Sequence, residues 1–573
     1  MCSSSQIAIE TMTPAQQPAQ RIGDFDTICE ALDYAAQGTN GIRIYNAKGE
    51  VQEELSYKSL RELALYTGKK LLTLGLGRGD VVAIIADTCV EFFALFYGCQ
   101  YAGLIPCPLP YTIYLGGKAA YTQRVNNLLK AADAKILWHP DGLKNLSEQF
   151  TEAMQIQAFS FSDLADLPAT KETTPLQPHE AAYIQFSSGS TSEPKGIIIS
   201  QRAISHNARG ILRECICITP SDRAFSWLPL YHDMGLVGFS IAPLFAQTPV
   251  DYISPTLFAR RPLLWLQLMS ERRSTITYAP IFGYNLAALR HKPEDTKLDL
   301  SALKIAGIGG DMINAGQLQQ FCTIFADSGF NSDSLTPSYG MAESTLLVSY
   351  RHGLKTDTID KCKLEKDGVA VPCNHNNSHS LTFTFCGKSL KGHELFVGDA
   401  QSKPLPARHV GHIYLCGPSL MSGYCNQNAT PHPPHDNSIY QDTGDMGYLC
   451  DGEIVITGRY KDMITVNGRN IWPQDIEHTL ATLPGLSSNR AAAFSVNDDK
   501  SEAIIILIEN NISSPAERKK LISAVQTTMT ASHGTIIKAV LVPPRSLEYT
   551  SSGKLSRSKA RELYINHYSN RYE

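Results

Sequence analysis

The chain has 573 residues, 43% hydrophobic and 18% charged, with a formal net charge of -4. That length exceeds what one hydrophobic core serves, so two or more domains are expected, and the near-neutral balance gives no electrostatic reason for a nucleic acid partner. Fourteen cysteines stand singly from Cys2 to Cys450 without a Cys-x-x-Cys pair, which argues against a disulfide framework and predicts reduced thiols in the cytoplasm.

Residues 1–20 lack the basic and apolar regions of a secretory signal and are expected to be a loose lead-in. Leu60, Leu63, Ala64 and Leu71 recur at helical spacing before Gly75, and Val81 to Ala86 is an apolar run of the buried-strand type. Gly75-Leu76-Gly77-Arg78-Gly79 follows a helix and precedes a strand, the reverse of what a dinucleotide fingerprint requires. Phe92 to Leu109 is uncharged and near membrane-spanning length, yet Gln100, Gly103, Pro106 and Pro108 break it into a helix and a strand, so no span is expected. With a helix at 119–132 and a strand from Lys135 to Trp138, the alternation predicts an α/β fold on a mainly parallel sheet covered by helices.

Phe186-Ser187-Ser188-Gly189-Ser190-Thr191-Ser192-Glu193-Pro194-Lys195-Gly196 joins two short β-runs, and Ser200 is a plausible N-cap for the helix that follows. Glycine lets backbone approach an anion, hydroxyl and N–H groups donate to it, and Lys195 adds a mobile positive charge. The order Pro194-Lys195-Gly196 is not that of a Walker A loop. On composition alone, a phosphate grip and an idle polar hairpin loop both fit.

Further strands, Phe225 to Leu228, Thr275 to Ala279 and Lys304 to Ile308, run into Pro229 to Gly235, Pro280 to Tyr284 and Gly309-Gly310-Asp311. An apolar helix is expected after Gly235, and loops at strand ends are where such sheets bind ligands. Residues 351–385 are polar with weak periodicity and are expected to be an insertion. Beyond about 408 the pattern turns to hairpins, with type I′ signals at Asp451-Gly452 and Asn467-Gly468. Pro473 opens a helix to Leu483, and the apolar runs Ala503 to Ile508 and Ile537 to Val542 flank a helix at 515–531. These predict a small α+β domain whose boundary falls between Thr457 and Asp462. His432, His435, His375 and His379 match no standard zinc-ligand spacing.

A hydroxyl-rich loop, acidic residues at strand ends and two separate lysines suit an enzyme that holds ATP and presents a carboxylate to its α-phosphate. A carboxylate is already ionised at neutral pH, so such a step needs positioning and charge neutralisation rather than a general base. Glu343, in Tyr339-Gly340-Met341-Ala342-Glu343-Ser344, is a reasonable Mg²⁺ ligand, and Asp445 could accept hydrogen bonds from ribose hydroxyls.

Phe186 to Gly196, Tyr339 to Ser344, Thr443 to Asp445, Gly458-Arg459-Tyr460-Lys461-Asp462 and Ser552-Gly553-Lys554 occur in the order seen in the acyl-adenylate-forming superfamily, which the chain resembles over nearly its whole length. Within it, the sequence is similar to the fatty acyl-AMP ligases, through Trp227 to Gly235, Phe258 to Trp265 and Gly468 to Glu477. The resemblance implies helix-covered β-sheets with a small β-rich part over residues 1–460, followed by a mobile α+β lid at 461–573. It implies ATP and Mg²⁺ as cofactors, a medium- to long-chain fatty acid as substrate, and transfer of the acyl group to the phosphopantetheine thiol of an acyl carrier protein. An acyl-CoA ligase using free CoA and a non-catalytic binding homologue are the alternatives.

By the same resemblance Ser187, Ser188, Gly189, Ser190, Thr191 and Lys195 wrap the pyrophosphate end of ATP. Gly309, Gly310, Asp311, Ser338, Tyr339 and Gly340 form the adenine side, with Met341 and Ser344 beside them, and Asp445 with Arg459 holds the ribose. His232 lies near the acyl carboxylate, and Met234, Phe282 and Tyr284 line the acyl tunnel. Lys461 is the implied hinge, Glu343 the Mg²⁺ ligand, and Lys554 the residue that reaches the carboxylate and α-phosphate oxygens. The insertion is implied to hinder the pose that CoA ligases use. The sequence departs from the superfamily at Gly309 to Met312, which lacks the usual alanine and proline, and at Gly423-Tyr424-Cys425, which lacks the tryptophan often found there.

Overall fold

The computed structural model describes residues 18–111, 117–146, 149–150, 156–169, 172–186, 194–292, 297–374, 380–425, 440–466, 469–480, 483–484, 486, 490–498, 501–533, 537–549 and 555–569. Its early part is the predicted alternation of helix and strand. From Phe92 onward helix α1 (Val90–Ala102) is buried on every face, and the Gln100 amide donates to the Ala182 carbonyl. Phe93 and Phe96 of α1 meet Tyr252 and Tyr183 on two other sheets. Among the described residues no helix is long and apolar enough to cross a membrane. The strand that follows, Ile105–Leu109, carries Pro106 and Pro108 at the edge of a four-stranded parallel sheet, the position where missing N–H donors are tolerated.

Strands β1 (Ala181–Phe186) and β2 (Gly196–Ser200) pair antiparallel on either side of the Ser/Gly loop. Helix α2 (Gln201–Gly210) leaves β2 through the expected cap, with the Ser200 side chain accepting from the Ala203 N–H. The predicted apolar helix after Gly235 is present, entered through one α-helical turn, Asp233–Gly235, and widened into a π-helical segment, Leu236–Ile241. Such widened turns recur at functional sites. Strands β3 (Ile276–Ala279), β4 (Ile305–Ile308) and β5 (Leu335–Gly340) then run parallel in a nine-stranded sheet, and β6 (Leu347–Tyr350) folds back antiparallel on β5.

Residues 351–374 and 380–385 are more ordered than their composition predicts. They form β7 (Thr356–Asp360), α3 (Lys361–Asp367) and β8 (Ser380–Thr384), with β7 and β8 paired antiparallel. Ile359, Leu364, Phe383 and Phe385 share a core with Tyr448 and Val455. Few apolar residues suffice because a neighbouring hairpin completes the cluster.

The short strand β9 (Gly423–Tyr424) pairs with β2. Strands β10 (Gln441–Cys450) and β11 (Glu453–Arg459) form the predicted hairpin, with positive φ at both Asp451 and Gly452. The Asn467-Gly468 turn and His375, His379, His432 and His435 lie outside the described residues. Beyond residue 463 come helix α4 (Pro473–Leu480), strands β12 (Ala491–Asp498) and β13 (Ser501–Glu509), helix α5 (Pro515–His533), strand β14 (Ile537–Val542) and helix α6 (Arg557–His567). The sheet β12–β13–β14 is covered on both faces: Ile504, Ile506 and Ile508 belong to one core and Ile505 and Leu507 to the other, the alternation a strand imposes.

Helix α3 grips this last unit. Lys361 is buried and its ammonium donates to the Ser532 carbonyl at 2.9 Å and to His533 Nδ1 at 2.9 Å. The Thr479 hydroxyl donates to the Asp475 carbonyl, so His533 Nε2, 2.9 Å from Thr479 Oγ1, carries the proton and the ring is neutral. Burial, then the cations Lys361 and Arg469, hold the His533 pKa down to about 3. Arg469 Nε donates to Glu365 at 3.1 Å. Asp475 is the misfit: among the described residues its buried Oδ2 has no partner, and burial, reinforced by Glu365 and Glu477 and opposed by Lys361, pushes its pKa up to about 7. An unfolded aspartate titrates near 3.9, so the folded state holds the extra proton between those values and stability falls as pH rises through them. Asp475→Asn is therefore expected to raise the thermal midpoint relative to the parent by an amount that grows from about pH 4 to about pH 7 and is level above it. Melting curves at a series of pH values check this.

Candidate active site

A cavity of about 490 Å³ opens where the C-terminal end of β5, the β10–β11 hairpin and α4 converge. Tyr339 closes one wall, and its buried hydroxyl donates to Asp445 Oδ2 at 2.7 Å. Asp445 and Arg459 are cross-strand partners on β10 and β11, with Arg459 Nε 3.3 Å from Asp445 Oδ1. Burial alone would lower the Arg459 pKa, but Asp445, Asp462 and Glu343 outweigh it and raise it. Gly340 is obligatory: a Cβ there would lie 2.1 Å from the Leu346 carbonyl oxygen. Gly310 adopts φ of 80°, the left-handed region, as β4 ends.

Gly310, Ser338, Tyr339 and Gly340 also line a second, smaller cavity of about 70 Å³, whose other walls include Ile211, Ile216, Met234, Phe239, Ile276 and Leu346. The larger chamber is of mixed polarity and the smaller, which Asp233 also lines, is mostly apolar, and the two share one wall. That arrangement suits a ligand with a charged end and a hydrocarbon end.

Glu343 lines neither cavity, although its charge acts on Arg459. Among the described residues its carboxylate accepts one hydrogen bond, from the Tyr424 hydroxyl at 3.3 Å, which leaves most of its lone pairs open. Tyr424, on β9, also lies under Lys195, whose Nζ is 5.1 Å from the ring centroid. An open carboxylate beside one hydroxyl and a nearby lysine fits Mg²⁺, which takes one or two carboxylates and completes its shell with phosphate oxygens and water. The acceptors of Asp445 and the backbone curve at Gly310 fit a nucleoside likewise.

Of the residues marked in the sequence, Gly310, Asp311, Ser338, Tyr339, Gly340, Asp445, Arg459 and Phe282 line the larger cavity, while Met234 and Gly309 line the smaller. Asp311 is exposed, and its carboxylate accepts the Met312 N–H at 2.8 Å. Tyr284 lines neither cavity. It is fully buried between Trp265 and Phe321, and its hydroxyl donates to the Gly307 carbonyl at 3.0 Å, so it is a core residue rather than part of a tunnel. Met341 packs in the core, Ser344 is fully buried, and neither lines a cavity. His232 starts the turn at Asp233–Gly235 with its ring 4.7 Å from that of Tyr231, outside both linings. Lys461 sits in the turn Tyr460–Asp462, and partial burial followed by the positive charge of Arg459 lowers its pKa. Ser187, Ser188, Gly189, Ser190, Thr191 and Lys554 lie outside the described residues, although Leu555, Ser556 and Arg557 line the larger cavity.

Three participants escape a sequence reading. Arg557 donates to Glu477 through Nε at 2.8 Å and Nη2 at 2.6 Å, and lies 3.3 Å from Asp462, so it ties α6, α4 and the β11 turn together at the cavity mouth. Its place three residues after Lys554 was the available signal. Tyr424 carried only the Gly-Tyr pattern, and Asn207, described below, carried none.

Residues 32–425 match the family of AMP-binding enzymes. A Caulobacter vibrioides protein provisionally named an acyl-CoA synthetase is 41% identical over 563 residues, 97% of this chain and 98% of its own length. JamA of Moorena producens, a medium-chain fatty acid–[acyl-carrier-protein] ligase, is 31% identical over 571 residues, 95% of each chain. A solved structure from a study of fatty acyl-adenylate ligases of E. coli and L. pneumophila superposes with a TM-score of 0.91 at 38% identity, covering 96% of this chain and all of that one.

Proposed function

As this chain belongs to the family of AMP-binding enzymes, we propose that it is a ligase that activates a fatty acid with ATP and passes the acyl group to a carrier protein. The observation that supports this reading best is the wall at Ser338, Tyr339 and Gly340, with the Asp445–Arg459 pair on one side and an apolar chamber on the other.

In the first step a carboxylate oxygen of the acid attacks the α-phosphorus of ATP, the P–O bond to the β-phosphate breaks, and pyrophosphate leaves. Asp445 accepts from the ribose hydroxyls and is itself fixed by Arg459 and Tyr339. Lys195 and the preceding hydroxyls bind the pyrophosphate end, His232 guides the acid's carboxylate, and Lys554 stabilises the charge that builds around phosphorus. Glu343 would hold Mg²⁺ at the phosphates, and the ion would supply further charge neutralisation there. In the second step the phosphopantetheine thiolate attacks the acyl carbonyl and AMP departs. Residues 461–573 turn about Lys461 between the steps, and the free thiols suit work in the cytoplasm.

Pyrophosphate exchange dependent on fatty acids of increasing length, with mass detection of acyl-AMP, acyl-carrier and acyl-CoA products, tests this reading. Absence of exchange with every acid overturns it. The name of the Caulobacter relative favours a second reading, in which free CoA is the acceptor. The contacts between α3 and the last unit separate the two. Lys361→Ala with Glu365→Ala removes the contacts to Ser532, His533 and Arg469 while sparing the β7–β8 core. If those contacts hold the enzyme to carrier protein, this variant should raise the rate with free CoA by about tenfold, equivalent to about 1.4 kcal/mol, and leave adenylation within twofold. An unchanged CoA rate counts against that role.

A further inference from the structure

Thr345, two residues after Glu343, has φ 65° and ψ -60°, and the Leu346 N–H donates across it to the Ser344 carbonyl at 2.7 Å. This is the high-energy form of the three-residue γ-turn, which a β-branched side chain disfavours strongly. Such a conformation persists only where its surroundings over-determine it, and it recurs at functional sites.

The surroundings here are unusually complete. The Thr345 hydroxyl donates to the Ser419 carbonyl at 2.7 Å, and two residues further along that strap the Met421 N–H donates to the Glu343 carbonyl at 2.8 Å. From the other side Asn207 donates through Nδ2 to the carbonyls of Leu347 at 2.9 Å and Ser344 at 3.4 Å, and its Oδ1 accepts the Leu347 N–H at 3.1 Å. Asn207, Ser344, Thr345 and Ser419 are all fully buried. Met341 N–H closes the loop on the Leu346 carbonyl at 2.9 Å. The result is a reversal that turns Glu343 towards Tyr424 and sends Leu346 into the wall of the apolar chamber.

We propose that Asn207 and Thr345 are positioning residues that hold the Glu343 carboxylate through this strained turn. Asn207 lies on α2, which leaves β2, the strand that begins immediately after Lys195. One buried amide therefore refers the lysine and the carboxylate to a single rigid element. The inference rests on the reading that Glu343 serves the phosphate end of ATP.

Five variants test it, read against the parent and Glu343→Gln: Thr345→Val, which deletes the hydroxyl at nearly constant volume; Thr345→Ser, which keeps it; Asn207→Ala; and the two loss variants, Thr345→Val and Asn207→Ala, each combined with Glu343→Gln. Thr345→Val and Asn207→Ala are expected to lower kcat for acid-dependent pyrophosphate exchange by about tenfold or more, with KM for the acid within twofold. Thr345→Ser is expected to stay within about threefold of the parent, and in the Glu343→Gln background the loss variants are expected to add less than about twofold. Equal losses in both backgrounds, or a loss confined to KM for the acid, overturn the proposal, because the turn then serves only the fold or the chamber around Leu346. Calorimetry provides a readout without turnover. The gain in ATP affinity on adding Mg²⁺ should shrink in the loss variants as it does in Glu343→Gln, and an undiminished gain also overturns the proposal. If the parent exchanges pyrophosphate with no acid, the functional reading fails by itself and the calorimetry still decides the positioning role.

Discussion

Lys554→Ala is expected to lower the rate of acyl-adenylate formation by about two to three orders of magnitude while changing ATP affinity by less than about threefold. The reaction leaves little for a base to do, since the attacking carboxylate is ionised before it binds. What changes on the way to the transition state is the charge around phosphorus, so a cation aimed at that position acts selectively on kcat. The residues that follow Lys554 line the larger cavity, and Arg557 is anchored there by Glu477 and Asp462. Single-turnover measurement of acyl-AMP, with ATP binding determined separately, checks this. Unchanged adenylation overturns the assignment, and a loss of ATP affinity alone would make Lys554 a ground-state contact.

Asp445→Ala is expected to weaken ATP binding by about ten- to a hundredfold, the range for losing hydrogen bonds to a charged group. The effect has two sources. On the proposed assignment the ribose loses its acceptor, and the substitution also leaves the buried Tyr339 hydroxyl and the Arg459 guanidinium without the carboxylate that now satisfies both. Tyr339→Phe removes one hydrogen bond without orphaning a buried donor, so it should cost no more than about tenfold. Isothermal titration with ATP across the two variants separates these contributions. Equal losses would mean that the tyrosine, rather than the carboxylate, dominates recognition.

Much of the framework was legible because its signals are local. Val81 to Ala86 and Ile537 to Val542 are apolar runs bounded by breakers, and both are strands. Asp451-Gly452 demands positive φ, and both residues have it. Strand β12 was missed because Ala491, Ala492 and Ala493 carry little β-propensity, and it is held by pairing with the isoleucine-rich β13. The order of α3 was missed because its stability is borrowed from Tyr448 and Val455, remote in sequence. Within the site, Asp445 and Arg459 stood out by motif, but only the β10–β11 register makes them a pair. Tyr284 misled because an aromatic at a strand end reads the same whether it faces a chamber or the core. Asn207 and Thr345 carry no sequence signal, since one is an ordinary helical residue and the other is distinguished only by its backbone angles.

The wall shared by the two chambers has a thermodynamic consequence. Gly310, Ser338, Tyr339 and Gly340 touch whatever fills either side, so a ligand that shifts them on one side alters the fit on the other. Linkage then requires symmetry: if an acid of a given length tightens ATP binding by some factor, ATP tightens that acid by the same factor. Discrimination between acids would then depend on nucleotide concentration wherever that factor differs from one acid to another.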